Sequence, residues 1–128
     1  NTGIAQRAAL AAISGDQEPS KEMEKAYLRR RNLVLGLIKE IPGIKTHIPE
    51  GAFYFFPDIS DFFGKSAEGH TIHTADDFCL YILEKANVSL VTGEAFGAPN
   101  CIRLSYAASD EELVEALKRM KEALALLK

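Results

Sequence analysis

The residue of this 128-residue chain whose type and setting most demand a partner is Arg103. It stands in Asn100-Cys101-Ile102-Arg103-Leu104-Ser105-Tyr106-Ala107, an apolar stretch that predicts a buried strand carrying one cation. A guanidinium keeps its proton at ordinary pH and an uncompensated buried charge is costly, so an anion is expected opposite it. Two kinds of anion meet that need. One of the chain's 18 acidic residues could form an internal ion pair, or a ligand carboxylate could be gripped by the planar fork through two parallel hydrogen bonds.

Other residue types with chemical potential carry weaker patterns. Gly64-Lys65-Ser66 ends like a phosphate-binding loop, but the required first glycine falls at Ile59 and no strand-loop-helix context surrounds it. His70 and His73 could share a helical turn, yet no third ligand follows, so a surface loop ahead of a helix is the simpler reading. Asp58 and Asp61 could be paired carboxylates, although aspartates in turns more often satisfy backbone amides. No Gly-x-Ser-x-Gly elbow is present, and Cys79 and Cys101 lie in apolar surroundings where a thiol behaves as a small hydrophobe. No catalytic residue and no metal-ligand set is assigned.

The elements that must position Arg103 follow from caps and periodicity. Residues 4–14 are alanine-rich and helical, and Gly15-Asp16-Gln17-Glu18-Pro19 breaks that run. A longer helix is expected from an N-cap at Ser20 to Pro42-Gly43, with Met23, Tyr27, Val34, Ile38 and Ile41 as its apolar stripe and Arg29-Arg30-Arg31 on a solvated face. Residues 44–47 read as a short strand, and the aromatic run 52–56 as a strand covered on both faces. Residues 58–71 form a loop long enough to act as a lid.

Thr74-Ala75-Asp76-Asp77 resembles a capping box and opens a helix whose stripe is Phe78, Tyr81, Ile82 and the stem of Lys85, ending near Asn87. Residues 88–91 are the next strand, and Gly93 to Pro99 a glycine-bounded loop leading into the arginine strand. Ser109-Asp110-Glu111-Glu112 is a second capping box, followed by Leu113, Leu117, Met120, Leu124 and Leu127 at helical spacing. The order α-α-β-β-α-β-β-α predicts an α+β fold, with helices packed on one side of a small, mostly antiparallel sheet.

Composition sets the outer bounds. With 47% apolar and 26% charged residues the chain is sufficient for one domain with a real core. A net charge of -3 with no basic stripe argues against nucleic acid as a partner. No run approaches the roughly 20 apolar residues of a membrane helix, and no leader pattern opens the chain, so a soluble, cytoplasmic protein is expected. The chain starts at Asn1 and enters a helix almost at once, which suggests a piece of a longer protein.

Three blocks, in order, carry a family resemblance: Pro49-Glu50-Gly51-Ala52-Phe53-Tyr54, Val91-Thr92-Gly93-Glu94-Ala95-Phe96-Gly97, and Ile102-Arg103-Leu104-Ser105-Tyr106-Ala107. Together they resemble the C-terminal region of fold-type I pyridoxal-phosphate aminotransferases, especially the aspartate aminotransferase group. Ile4-Ala5-Gln6-Arg7 and the following alanines resemble the helix that ends this family's large domain, so residues 1–18 correspond to that helix and residues 19–128 to the small domain.

The resemblance implies that Arg103 binds the α-carboxylate of an amino-acid substrate, with Gly93 and Gly97 shaping the loop that brings the strand to the site. It implies a homodimeric enzyme using pyridoxal 5'-phosphate, an amino acid such as aspartate and a 2-oxo acid acceptor. The lysine, aspartate and phosphate cup that hold the cofactor lie upstream in this family. The chain alone is therefore expected to be inactive and, without its large domain, to expose part of the 52–56 sheet face or the apolar face of its first helix. Thr92 stands where the family commonly has proline, a loop difference, and Arg7 is assigned no contact. The rival reading is a free-standing α+β module that grips a small acid through Arg103, or regulates, without catalysis.

Overall fold

The helices form where caps and apolar stripes coincide. In the computed structural model, which describes residues 2–128, helix α1 is Gly3–Ser14, α2 Glu18–Lys39, α3 Ala75–Ala86 and α4 Asp110–Leu124. Both expected capping boxes are formed: Thr74 accepts from the Asp77 amide while Asp77 accepts from Thr74, and Ser109 and Glu112 do the same at α4. Asn87 closes α3 in a left-handed conformation, φ 52°, which asparagine tolerates better than most residues. Helix α2 begins earlier than its serine suggested. Gln17 is the N-cap and Pro19 sits in the first turn, where its missing N–H costs nothing.

The strands are β1 Tyr54–Phe55, β2 Ser66–Ala67, β3 His70–Thr71, β4 Val91–Thr92 and β5 Ile102–Ser105. They make a three-stranded antiparallel sheet in the order β1-β5-β4 and a separate β2-β3 hairpin. Phe55, Ile102 and Leu104 point from one sheet face into the core, where α2, α3 and α4 contribute Val34, Ile38, Phe78, Tyr81, Ile82, Leu117 and Met120. Helix α4 packs against both α2 and α3. The fold is thus the expected α+β arrangement. Tyr81, fully buried, donates its hydroxyl hydrogen to the Ala123 carbonyl at 2.8 Å, so its polar end is satisfied where α3 meets α4.

Several local expectations are corrected. Residues 44–47 form only one bridge, Lys45 to Asp58. The strand at 88–91 is shifted to Val91–Thr92. The aromatic run is a two-residue strand, and it is not covered on both faces, because Phe53 and Phe56 remain 38% and 40% exposed. Residues 58–71 are anchored and do not form a free lid. Ile59 and Phe62 are buried in the core, and Ser66 exchanges backbone hydrogen bonds of 2.9 and 3.1 Å with Lys128. The hairpin turn uses Glu68 and Gly69, both at positive φ (49° and 85°), as a two-residue loop requires. Arg29 and Arg30 are not simply solvated, since both reach Asp110 at the start of α4, at 3.0 and 3.4 Å.

Helix caps and turns also set the acid response. A backbone N–H from His73 holds the Asp77 carboxyl below the ordinary range, the Ser60 hydroxyl does so for Asp58, and the Ser109 backbone N–H for Glu112. A depressed folded-state pKa contributes stability that is present above the unfolded value, about 3.9–4.3 for these groups, and lost as pH falls through the folded value. The urea midpoint is therefore expected to hold steady above about pH 5 and to fall below about pH 4. Asp77→Asn should make that fall shallower, and an unchanged acid limb in the variant would contradict this assignment.

Candidate functional site

Arg103 occupies β5, whose burial alternates: Ile102 and Leu104 are buried, Arg103 is half-buried and Ser105 exposed. Successive side chains of a strand point to opposite faces, so Arg103 stands on the sheet face turned away from the helices. This corrects the expectation of an interior arginine. The stretch is apolar because its other residues serve the core, while the arginine uses the opposite face. Register places Val91 of β4 opposite Arg103 and Tyr54 of β1 opposite Ser105, which puts all four on that outer face.

The internal ion pair is also absent among the described residues. Arg103 there makes no salt bridge and no hydrogen bond, although Arg29, Arg30 and Arg119 all have carboxylate partners. Its contacts are aromatic. The guanidinium carbon lies 4.6 Å from the centre of the Tyr54 ring and 4.9 Å from that of Phe96. Both distances suit attraction between a cation and a ring face, which engages the plane of the guanidinium and not its N–H edge.

The loop before β5 is built to hold Phe96 there. Gly93–Phe96 is a 3-10 turn, closed by Gly97 at φ 74°, a left-handed position where glycine is favoured. Gly93 donates to the Cys101 carbonyl at 2.7 Å, and a Cβ at Gly93 would collide with the carbonyl oxygens of Ala98 and Cys101. Thr92 caps this turn by accepting from the Glu94 amide at 3.3 Å, which gives the threonine a structural use. On the other flank, Tyr106 donates its hydroxyl to Ala52 and its amide to Phe53, each at 2.9 Å. This ties the segment before β1 to the end of β5. Ala52 is held at φ 58°, a strained position for a residue with a Cβ.

The remaining candidates have structural employment. Asp58 accepts from the Ser60 amide and hydroxyl at 2.8 and 2.6 Å, while Asp61 accepts from Lys45 at 2.6 Å, so the two do not form a carboxylate pair. His70 faces Glu84 at 3.4 Å and lies edge-on to Tyr81. Burial pushes the Cys79 thiol up to about 11, away from the thiolate that a nucleophile needs. A cleft of about 540 Å³ lies between α4 and residues 87–90 and does not include Arg103. The arginine stands on an open face.

A lysine that carries a carbonyl cofactor covalently has to shed its proton. Lys45 and Lys85 are held the other way, their pKa values raised first by hydrogen bonds to Asp61 and Glu68. Lys121 is likewise paired, with Glu40 at 2.9 Å. These amines do not fit the covalent role.

Comparison with known proteins agrees with this architecture. The family model for aminotransferase class I and II matches residues 2–120. An aspartate aminotransferase of Streptomyces avermitilis is 43% identical over 116 residues, which cover 91% of this chain and 28% of the relative. The crystal structure of the aspartate aminotransferase from Rhizobium meliloti superposes with a TM-score of 0.92 at 42% identity, covering 98% of this chain and 32% of that one. The alanine aminotransferase of Pyrococcus furiosus gives a TM-score of 0.83 at 33% identity, covering 94% of this chain and 29% of that one. The chain thus spans less than a third of the length of these relatives. With residues 2–120 matched by one family model and 98% of the chain superposed on one shared fold, the chain belongs to the class I and II aminotransferases.

Proposed function

We propose that this chain is the C-terminal part of a pyridoxal-phosphate-dependent aminotransferase, with residues 19–128 as its small domain and residues 1–18 as the helix ending its large domain. The carrying observation is Arg103, a half-buried guanidinium with no anion among the described residues, set on the sheet face that the helices leave open. Its proposed role is to receive the substrate α-carboxylate. Two charge-assisted hydrogen bonds from the fork would fix both the position and the plane of that carboxylate, and so the orientation of the Cα–H bond next to it. Positioning of this kind accounts for a large share of a rate enhancement.

Bound in the whole enzyme, pyridoxal phosphate supplies the electron sink that weakens bonds to Cα. None of that chemistry is assigned to residues of this chain. The substrates are proposed to be an amino acid, aspartate or a similar one, and a 2-oxo acid, following the names of the aspartate aminotransferase relatives. A homodimer in the cytoplasm is the proposed setting. No helix among the described residues is long and apolar enough to cross a membrane.

The separation of α1 from the small domain is supported by its exposure, since it buries no residue against the remainder and leaves Ile4 and Ile13 84% and 81% exposed. Apolar side chains at that level of exposure suit a helix whose partner is another part of the protein. The test compares the 128-residue chain with the longer polypeptide that contains it. The longer form is expected to transaminate. The isolated chain should be inactive and, after incubation with the cofactor and borohydride reduction, show no stoichiometric adduct at a single lysine by mass spectrometry. Transamination by the isolated chain would overturn the proposal.

A further inference from the structure

From this geometry we infer that Tyr54 and Phe96 are positioning residues for Arg103: two rings that set the plane of its guanidinium so that the fork is presented to the substrate carboxylate. The inference rests on Arg103 being the carboxylate-binding residue and adds what orients it. A long, flexible side chain on an open face loses rotamer entropy whenever it binds, and a side chain already held loses less. Three other arginines in this protein are oriented by carboxylates, Arg29 and Arg30 by Asp110 and Arg119 by Glu115. A carboxylate at Arg103 would occupy the donors that a ligand needs. Ring faces at 4.6 and 4.9 Å orient the group without using them.

The rings come from different elements, and each is braced by a further aromatic. Tyr54 lies on β1 with Phe53 at 4.5 Å, and Phe96 ends the 3-10 turn before β5 with Phe56 edge-on at 6.0 Å. Phe96 is 53% exposed, so burial in the core does not explain its place in this part of the protein. The consecutive aromatics at 53–56, expected from the sequence to be sheet core, therefore divide. Phe55 serves the core, Tyr54 faces the arginine, Phe56 meets Phe96, and Phe53 lies between Tyr54 and Tyr27 of α2.

The test uses the whole enzyme and a double-mutant cycle. Tyr54→Leu and Phe96→Leu are each expected to raise KM for the amino acid about 3- to 30-fold, the range of a lost cation–ring contact, with a smaller change in kcat. Tyr54→Phe, which keeps the ring, should restore most of the loss. In an Arg103→Lys background both leucine substitutions should have little further effect, because they act through the arginine. Full additivity in that background, or unchanged KM in both leucine variants while Arg103→Lys is strongly impaired, would overturn the positioning role. Unimpaired activity in Arg103→Lys itself would instead overturn the carboxylate-binding reading on which it rests.

Discussion

Replacing Arg103 with lysine in the whole enzyme is expected to lower kcat/KM for the amino-acid substrate about 30- to 1,000-fold, equivalent to roughly 2–4 kcal/mol. Lysine keeps the charge but offers a point donor where a carboxylate needs a flat, two-pronged one. The loss should therefore reflect geometry and not charge. Folding is expected to survive, because no ion pair or hydrogen bond among the described residues depends on this side chain. The urea midpoint should correspond to a change of about 1 kcal/mol or less, because lysine keeps a cation against the Tyr54 and Phe96 rings. A variant that lost stability in proportion to activity would mean that Arg103 is structural.

Phe78→Ala should show the reverse pattern, a loss of stability first and of activity only as a consequence. Phe78 is fully buried in the first turns of α3, and its ring lies 5.4 Å from that of Phe62. Phe62 in turn belongs to the 3-10 turn Ser60–Phe62 and packs over Gly43, where even one added carbon would crowd its ring. Through Phe62, Phe78 joins α3 to the segment between β1 and the hairpin and to the turn after α2. Truncating a buried phenylalanine costs about 3–5 kcal/mol through lost burial and the cavity left behind. That is a large part of the 5–15 kcal/mol typical of a whole protein. Urea unfolding followed by circular dichroism reads it directly, and a cost under about 1 kcal/mol would show that the core collapses around the gap.

The sequence was most legible where local rules act alone. Both capping boxes, the end of α3 near Asn87 and the stripe of α4 are local features, and the structure places each as read. Legibility failed where pairing decides. Strand β1 shrank to Tyr54–Phe55, the residues in ladder register with β5, with Phe53 and Pro57 accepting single backbone hydrogen bonds from Tyr106 and Ile102 on either side, and residues 44–47 have a single bridge. The Glu68-Gly69 hairpin was written as a two-residue turn ending in glycine, but its flanking strands carry little alternation to mark them. Residues 58–71 looked mobile by composition, and only the fold reveals that Ile59, Phe62 and the Lys128 backbone pin them.

The candidate site was half legible. Arg103 stood out by its apolar neighbours, but those neighbours suggested burial, because adjacency in sequence does not say which face of a strand a residue takes. Strict alternation along β5 settles it, with Ile102 and Leu104 inward and Arg103 outward. The supporting rings escaped sequence reasoning altogether. Tyr54 and Phe96 are 42 positions apart in number, and only the β1-β5 pairing and the Gly93–Phe96 turn bring them to one guanidinium.

The most direct test of Arg103 as the carboxylate-binding residue is discrimination between an amino-acid substrate and the same compound with its α-carboxylate converted to the neutral carboxamide. The ratio of kcat/KM for the acid over the amide should be large in the whole enzyme and collapse toward unity in Arg103→Leu, which removes both the fork and its charge. A ratio that stayed as large in the variant would place carboxylate recognition elsewhere and contradict the account.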